Sequence, residues 1–296
     1  MIYKRQYGIS MIVTYYNNGC FLDELINSYN ELKLELEHEL IIVDDGSDQL
    51  DYLDRNFGGD DIKIIKLNEN QGVQHARNRG LLESKYKYTI IIDGDDKFSG
   101  ESDLFIRDAV SILDNNPKVA FVHGLAYMFE GASGYTISSY PLTPEFVARM
   151  HHVPTSIVYR TTDAIAAKGY NTEICKWQDW AFGVALLDYK MRELKDVSIG
   201  FIPLKVILYR TSNNPKRISQ KEVDLEQVVK LVVDSHRTFF AKYYSCNDIY
   251  LSVIKSKPSR LIELINIARY DYNLAVKVIE ERGYDVNHDK NKDWIP

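Results

Sequence analysis

Residues Thr89–Phe98 read TIIIDGDDKF, with Ile90, Ile91 and Ile92 running directly into Asp93, Gly94, Asp95 and Asp96. A short apolar run without polar alternation is how a strand buried on both faces reads, and this one ends in a cluster of carboxylates. Packed carboxylates repel one another unless a divalent cation or a set of donors offsets their charge. The same letters also suit a solvated acidic turn that caps the next helix. An EF-hand calcium loop is excluded: counted from Asp93, its fifth position is Lys97 and its sixth Phe98, where that loop needs an oxygen ligand and a glycine.

Outward from this stretch, short apolar runs alternate with helical patterns. Strands are predicted at Ile9–Tyr15, Leu40–Val43, Ile62–Leu67 and Thr89–Ile92, and helices at Phe21–Leu34 and Gly72–Leu82. That rhythm is an α/β domain with a largely parallel sheet. Polar turns follow the strands, Tyr16–Gly19 after the first and Asp44–Ser47 after the second. In open α/β sheets ligands bind where such loops converge at the carboxyl ends of the strands. Thr14, Tyr16, Asp44, Asp45 and the Asp93–Asp96 group are therefore expected to line one crevice. Ser47 is equally suited to cap a short helix at Gln49–Asn56.

Farther along, a helix is expected at Ser102–Leu113, strands at Val119–Val122 and Thr155–Arg160, and hairpin and loop from Leu125 to Pro144. A buried helix should begin near Trp177 or Gln178, which puts Asp179 in its first turn, as a dipole-stabilised charge or as a general base. Val197–Val206 reads as a strand broken by Gly200 and Pro203, followed by a polar loop, TSNNPKRIS. From about Lys221 the pattern turns helical, with helices at Leu225–Tyr244 and Ser259–Arg282, which divides the chain into an α/β domain, 1–220, and a helical C-terminal appendage, 221–296.

The 296 residues carry 45% hydrophobic side chains, enough for an ordinary core, and a net charge of −6 with both signs mixed. No basic stripe is present, so nucleic acid is not an expected partner. Cys20, Cys175 and Cys246 show no paired spacing, which argues against a disulfide framework or structural zinc and makes a cytoplasmic setting the default. No run approaches the roughly 20 apolar residues that span a bilayer, so any membrane contact, for instance at the inner face, is expected to be peripheral. His75, His123, His151 and His152 have no metal-ligand spacing. A G-x-S-x-G elbow and a G-x-G-x-x-G fingerprint are absent.

The succession SMIVTYYN (10–17), IIVDDGSDQ (41–49), NQGVQHARNRG (70–80), IIDGDD (91–96), then GYN (169–171) with WQDW (177–180), resembles the family 2 glycosyltransferases of the GT-A fold. It covers roughly residues 7 to 215. The resemblance implies a Rossmann-like, mostly parallel mixed sheet, and transfer of a sugar from a nucleoside diphosphate donor, usually a UDP-sugar, to an acceptor hydroxyl with inversion. It matches Thr14, Tyr16, Asp44 and Asp45 to the nucleotide base and Arg77 to the base and phosphate side. Asp95 is matched to the ribose and metal, Asp96 to the Mn²⁺ or Mg²⁺ ligand, Asp93 to support of the strand end, and Asp179 to the catalytic base. Arg210, Lys216 and Arg217 fall where a loop closes over the diphosphate. Gln178 departs from the usual glutamate, and the Q-x-x-R-W sequence of processive synthases is missing, so single additions to a glycan or lipid-linked acceptor in surface polysaccharide or glycoconjugate synthesis are expected. A catalytically silent nucleotide-binding partner subunit, or a homo-oligomer formed through the C-terminal helices, is compatible with the same letters.

Overall fold

The computed structural model describes residues 5–17, 19–48, 61–131, 133–136, 140–150, 152–211, 222–245, 248–257, 265, 267–271 and 273–276. The isoleucine run lies in β4 (Tyr86–Asp93), and β1 (Gln6–Tyr15) pairs with it in parallel. On the other side of β1, β2 (His38–Asp44) and β3 (Ile62–Lys66) extend the parallel set. Side chains alternate across this layer, as the period of two requires. Ile12, Ile41, Val43 and Ile91 enter one apolar cluster, whereas Met11, Val13, Leu40, Ile42, Ile90 and Ile92 enter the other. Burial on both faces is why these strands read as unbroken apolar runs.

Beyond β4 the sheet becomes mixed. Among the described residues its order is β3-β2-β1-β4-β8-β6-β9-β5, with β8 (Val158–Arg160) antiparallel to both β4 and β6 (Val119–Phe129). The short β7 (Gly134–Tyr135) pairs with β6, and β5 (Lys97–Phe98) with β9 (Ser198–Arg210). Helices α1 (Gly19–Asn30), α2 (Val73–Glu83), α3 (Ser102–Asn115), α4 (Pro144–Ala148), α5 (Thr161–Ala166) and α6 (Gln178–Leu194) complete this part.

Three expectations are corrected. β9 is one continuous strand, not a strand broken at Gly200 and Pro203. Its register against β6 jumps between the His123–Phe201 and Leu125–Lys205 pairs, so Pro203, which has no N–H to give, sits in an irregularity of the ladder. Only Val158–Arg160 of the strand expected at Thr155–Arg160 pairs, whereas the hairpin expected from Leu125 is present, β6 running on to Phe129 and pairing with β7. The helix from Leu225 is interrupted at His236, with φ −133° and ψ 37°, into α7 (Leu225–Ser235) and α8 (Arg237–Ala241). The expected helix at Gln49–Asn56 and most of the one at Ser259–Arg282 lie outside the described residues.

Val228, Val229, Val232 and Val233 make the apolar stripe of α7, and with Phe239 and Phe240 they belong to the same buried cluster as Trp180 and Leu187 of α6. His236 Nδ1 lies 2.9 Å from the buried carboxylate of Asp188, which ties the break between α7 and α8 to the middle of α6. A last helix, α9 (Ile249–Lys255), packs on α7. Among the described residues no helix is long and apolar enough to cross a membrane.

His123 on β6 is fully buried, its Nε2 accepting the Leu142 N–H at 3.2 Å and its ring 4.9 Å from Phe201. Burial pushes its pKa down to about 3 from 6.5. Between those values the unfolded chain binds a proton that the folded chain refuses, so stability is lost as pH falls through this window, by up to about 1.4 kcal/mol per pH unit. His123→Gln is expected to show a shallower decline of thermal stability from pH 6.5 to 4 than the parent. Parallel declines would reject the assignment.

Candidate functional site

The parallel register places the turns that end β1, β2 and β4 side by side. Tyr15 at the end of β1 is opposite Asp44, and Thr14 is opposite Asp93. Gly94 donates its N–H to the Thr14 carbonyl at 3.1 Å, and a Cβ on Gly94 would lie 2.6 Å from that oxygen. Glycine is therefore what lets the β4 turn fold against the end of β1. Thr14 is half-buried and Tyr16 exposed at this edge.

Asp44 and Asp45 divide their labour in a way the sequence did not disclose. Asp44 Oδ1 accepts the Ser47 N–H at 3.0 Å and the Ser47 hydroxyl at 2.6 Å, closing its own turn. Asp45 accepts the N–H groups of Gln71 and Gly72, both at 2.8 Å, and so anchors the start of α2. Burial raises the Asp45 pKa, against the pull of those two donors. Gly46, at φ 72°, lets this loop come in, since a Cβ there would lie 2.5 Å from the Asn70 nitrogen. Both acids are buried anchors, and a base-edge contact has to use lone pairs those bonds leave over.

The face of α2 explains the letters QHARNRG. Ala76 and Gly80 let the helix lie close to the sheet, where a Cβ on Gly80 would meet Ile12 at 2.5 Å. Asn78 exchanges two 2.8 Å hydrogen bonds with the Tyr170 backbone, and Gly169, at φ 66°, makes room for that amide. Gln74 donates to the Ile174 carbonyl. The helix thus grips the segment leading into α6.

Between these contacts lies Arg77, 1% exposed. Its Nη2 meets Asp93 Oδ1 at 2.8 Å and its Nη1 meets Asp179 Oδ1 at 2.7 Å. The guanidinium packs 5.0 Å from the centre of the Tyr170 ring, which stacks on Phe182 at 4.0 Å. Burial alone would lower the Arg77 pKa, but Asp179 and Asp93 carry it above the ordinary value. Arg77 is expected on the base and phosphate side; here each of its Nη atoms meets a carboxylate, and its Nε has no hydrogen-bond partner among the described residues.

In the acidic turn, Asp96 is buried and its Oδ1 accepts the Arg210 backbone N–H at 2.8 Å, while Asp95 is half-buried. Arg210 Nε donates to the Asp95 carbonyl at 2.6 Å. Its guanidinium lies 4.3 Å from the centre of Phe21 and 4.5 Å from that of Phe129, with Glu24 and Glu130 as ion partners. This corrects the expectation for Arg210: it is the last residue of β9 and is buried under the acidic turn. Lys216 and Arg217 lie outside the described residues.

Asp93, Asp95 and Asp96 offer hard oxygen donors only. Among the described residues no three His, Cys, Asp or Glu side chains could hold an ion by themselves. A Mg²⁺ or Mn²⁺ that takes one or two carboxylates and completes its shell from phosphates and water fits this donor set.

Asp179 stands in the first turn of α6, 18% exposed at its side chain. The preceding Trp177 is left-handed at φ 57°, a strained conformation for a large aromatic residue. Trp180 fixes the turn by donating from its indole to the Val147 carbonyl at 2.7 Å. His152, read from sequence as ordinary, is exposed.

A family model described as "Glycosyl transferase family 2" matches residues 10–172, more than half of the chain. An "Uncharacterized glycosyltransferase" of Haemophilus influenzae is 26% identical over 140 residues, 47% of this chain and 46% of that protein, so the match spans less than half of that relative's length. The crystal structure of S. aureus TarS 1–349 in complex with UDP-GlcNAc aligns with a TM-score of 0.63 at 17% identity, over 93% of this chain and 92% of that one. The Pyrobaculum calidifontis mannosyltransferase PcManGT, in complex with GDP-Man and Mn²⁺, aligns with a TM-score of 0.55 at 14% identity, over 94% and 79% of the two chains. These likenesses show the GT-A fold, a mixed sheet flanked by helices.

Proposed function

The chain belongs to glycosyl transferase family 2, and on that premise we propose that it moves a sugar from a nucleoside diphosphate sugar, UDP-linked in our reading, to an acceptor hydroxyl in a metal-dependent, inverting displacement. The observation that carries the reading is Arg77, which brings the strand-end acid Asp93 and the helix acid Asp179 to one guanidinium. Donor-side and acceptor-side carboxylates, 86 positions apart in sequence, thereby share one site.

The nucleotide would lie over the ends of β1, β2 and β4, with Thr14, Tyr16, Asp44 and Asp45 around the base and Asp95 toward the ribose. Asp96, with Asp95, would hold Mg²⁺ or Mn²⁺ against the diphosphate, and the ion supplies charge neutralisation for the leaving group. Asp179 Oδ1 is fixed by Arg77, which leaves Oδ2 for the acceptor hydroxyl. A base on a rigid helix turn, facing the side opposite the leaving nucleotide, takes the proton as the hydroxyl attacks and inverts the anomeric centre. Solved relatives of the same fold hold UDP-GlcNAc in one case and GDP-Man with Mn²⁺ in another, which supports a nucleotide sugar and a divalent cation. Surface polysaccharide or glycoconjugate synthesis is the setting the family resemblance implies.

The test is release of UDP from a panel of UDP-sugars with Mn²⁺, Mg²⁺ or a chelator. Release with one donor that falls by at least about tenfold under chelation is expected. Equal release with and without metal would remove the metal from the proposal, and none from any UDP-sugar would remove the donor class.

A further inference from the structure

Asn78 lies in the interior of α2, where asparagine is a weak helix former because its amide competes for backbone hydrogen bonds. The amide here serves another segment. Nδ2 donates to the Tyr170 carbonyl and Oδ1 accepts the Tyr170 N–H, each at 2.8 Å and across 92 positions of sequence. Gly169 is shaped for this contact, since at φ 66° a Cβ there would lie 2.3 Å from Asn78 Oδ1. The next residue, Arg79, is exposed and pairs with Glu83 on its own helix.

Residues 169–177 form no helix and no strand, so their course into α6 is set by what they touch. Gln74, one turn before Asn78, donates to the Ile174 carbonyl. Tyr170 is buried, and the centre of its ring lies 5.0 Å from Arg77 Cζ. The same ring stacks at 4.0 Å on Phe182, which follows Asp179 by three positions on α6. Tyr170 thus touches both sides of the Arg77–Asp179 ion pair, the guanidinium itself and the helix that carries the acid. Gln74, Arg77 and Asn78, at i, i+3 and i+4, present one face of α2 to this segment.

We propose that Asn78 is a positioning residue for transfer: by seating Tyr170 it fixes how the first turn of α6 stands against Arg77, and so aims Asp179, without itself touching donor or acceptor. The inference rests on Asp179 being the base. Misplacing a reacting group by about 1 Å can cost about 10²-fold in rate. The donor turns, by contrast, are held by hydrogen bonds of Asp44, Asp45 and Arg210 that do not involve Tyr170.

Asn78→Ala in the full chain tests this. Alanine is the better helix former, so α2 itself is not weakened. At a temperature where the variant is folded, kcat for UDP release from a UDP-sugar that the parent turns over is expected to fall about tenfold to a hundredfold. The KM for that sugar nucleotide and the calorimetric affinity for UDP should not change, and Arg79→Ala should keep parental kinetics. The decisive comparison is made beside Asp179→Asn. Because Asn78 acts through Asp179, adding Asn78→Ala there should lower the residual rate by less than about twofold. An unchanged kcat in Asn78→Ala, an equal loss in Arg79→Ala, UDP affinity that falls with kcat, or a loss that recurs in full beside Asp179→Asn would each overturn the proposal. Failure of the underlying reading would also end it, but shows in other proteins, as no UDP release from the parent or normal release from Asp179→Asn alone.

Discussion

Asp179→Asn is expected to bind UDP as the parent protein does and to lose sugar transfer by about 10²–10⁴-fold, the usual share of a positioned general base. The substitution keeps size and the ability to accept one hydrogen bond from Arg77, but an amide cannot take up a proton at neutral pH. Nothing at the ends of β1, β2 or β4 depends on Asp179 directly, because Thr14, Asp44, Asp45, Asp95 and Asp96 are held by their own turns and by Arg210. Calorimetric titration with UDP and a UDP-release assay on the same preparation separate the two functions. Normal transfer would remove Asp179 from the role of base. A parallel loss of UDP affinity would mean that its main part is structural, exerted through Arg77 on the donor side.

The strands that carry the site were legible because β1, β2 and β4 are buried on both faces, so their apolar runs had no other reading, and the acids had to fall at their carboxyl ends. Legibility failed where a role depends on contacts between distant segments. Arg210 read as a loop cation, since its burial rests on β9 pairing with β5 and on Phe21, Phe129, Glu24 and Glu130 closing around it. Pro203 read as a break in a strand, although an irregular register absorbs it. The break at His236 was invisible because its cause, Asp188 on α6, lies 48 positions away. Asp44 and Asp45 read as acids lining the crevice, while the loop that occupies Asp45 is recruited by Gly46, whose left-handed backbone only the fold reveals.

Arg77→Met is expected to have the larger cost to the fold. Methionine fills much of the same volume, but it leaves Asp93 and Asp179 facing a site from which their shared counter-charge has gone. Removing one partner of a buried ion pair costs about 3–5 kcal/mol, because an uncompensated charge stays behind, whereas the intact pair adds far less in net terms. For a chain of this size that lowers Tm by roughly 5–10 °C. Arg77→Lys should recover only part of this, since one ammonium has no planar fork with which to meet Asp93 at 2.8 Å and Asp179 at 2.7 Å together. The discriminating measurement is thermal unfolding of Arg77→Met, Asp179→Asn and the double variant. If the guanidinium works by linking the two acids, the double variant should be more stable than the sum of the single losses predicts, with a coupling of about 0.5–3 kcal/mol. Additivity within about 0.5 kcal/mol would show that Arg77 stabilises the fold through its packing on Tyr170, not through Asp179. In the coupled case, transfer by Arg77→Met at a temperature where it remains folded should still be impaired, because Asp179 then keeps its carboxylate but loses the bond that aims it.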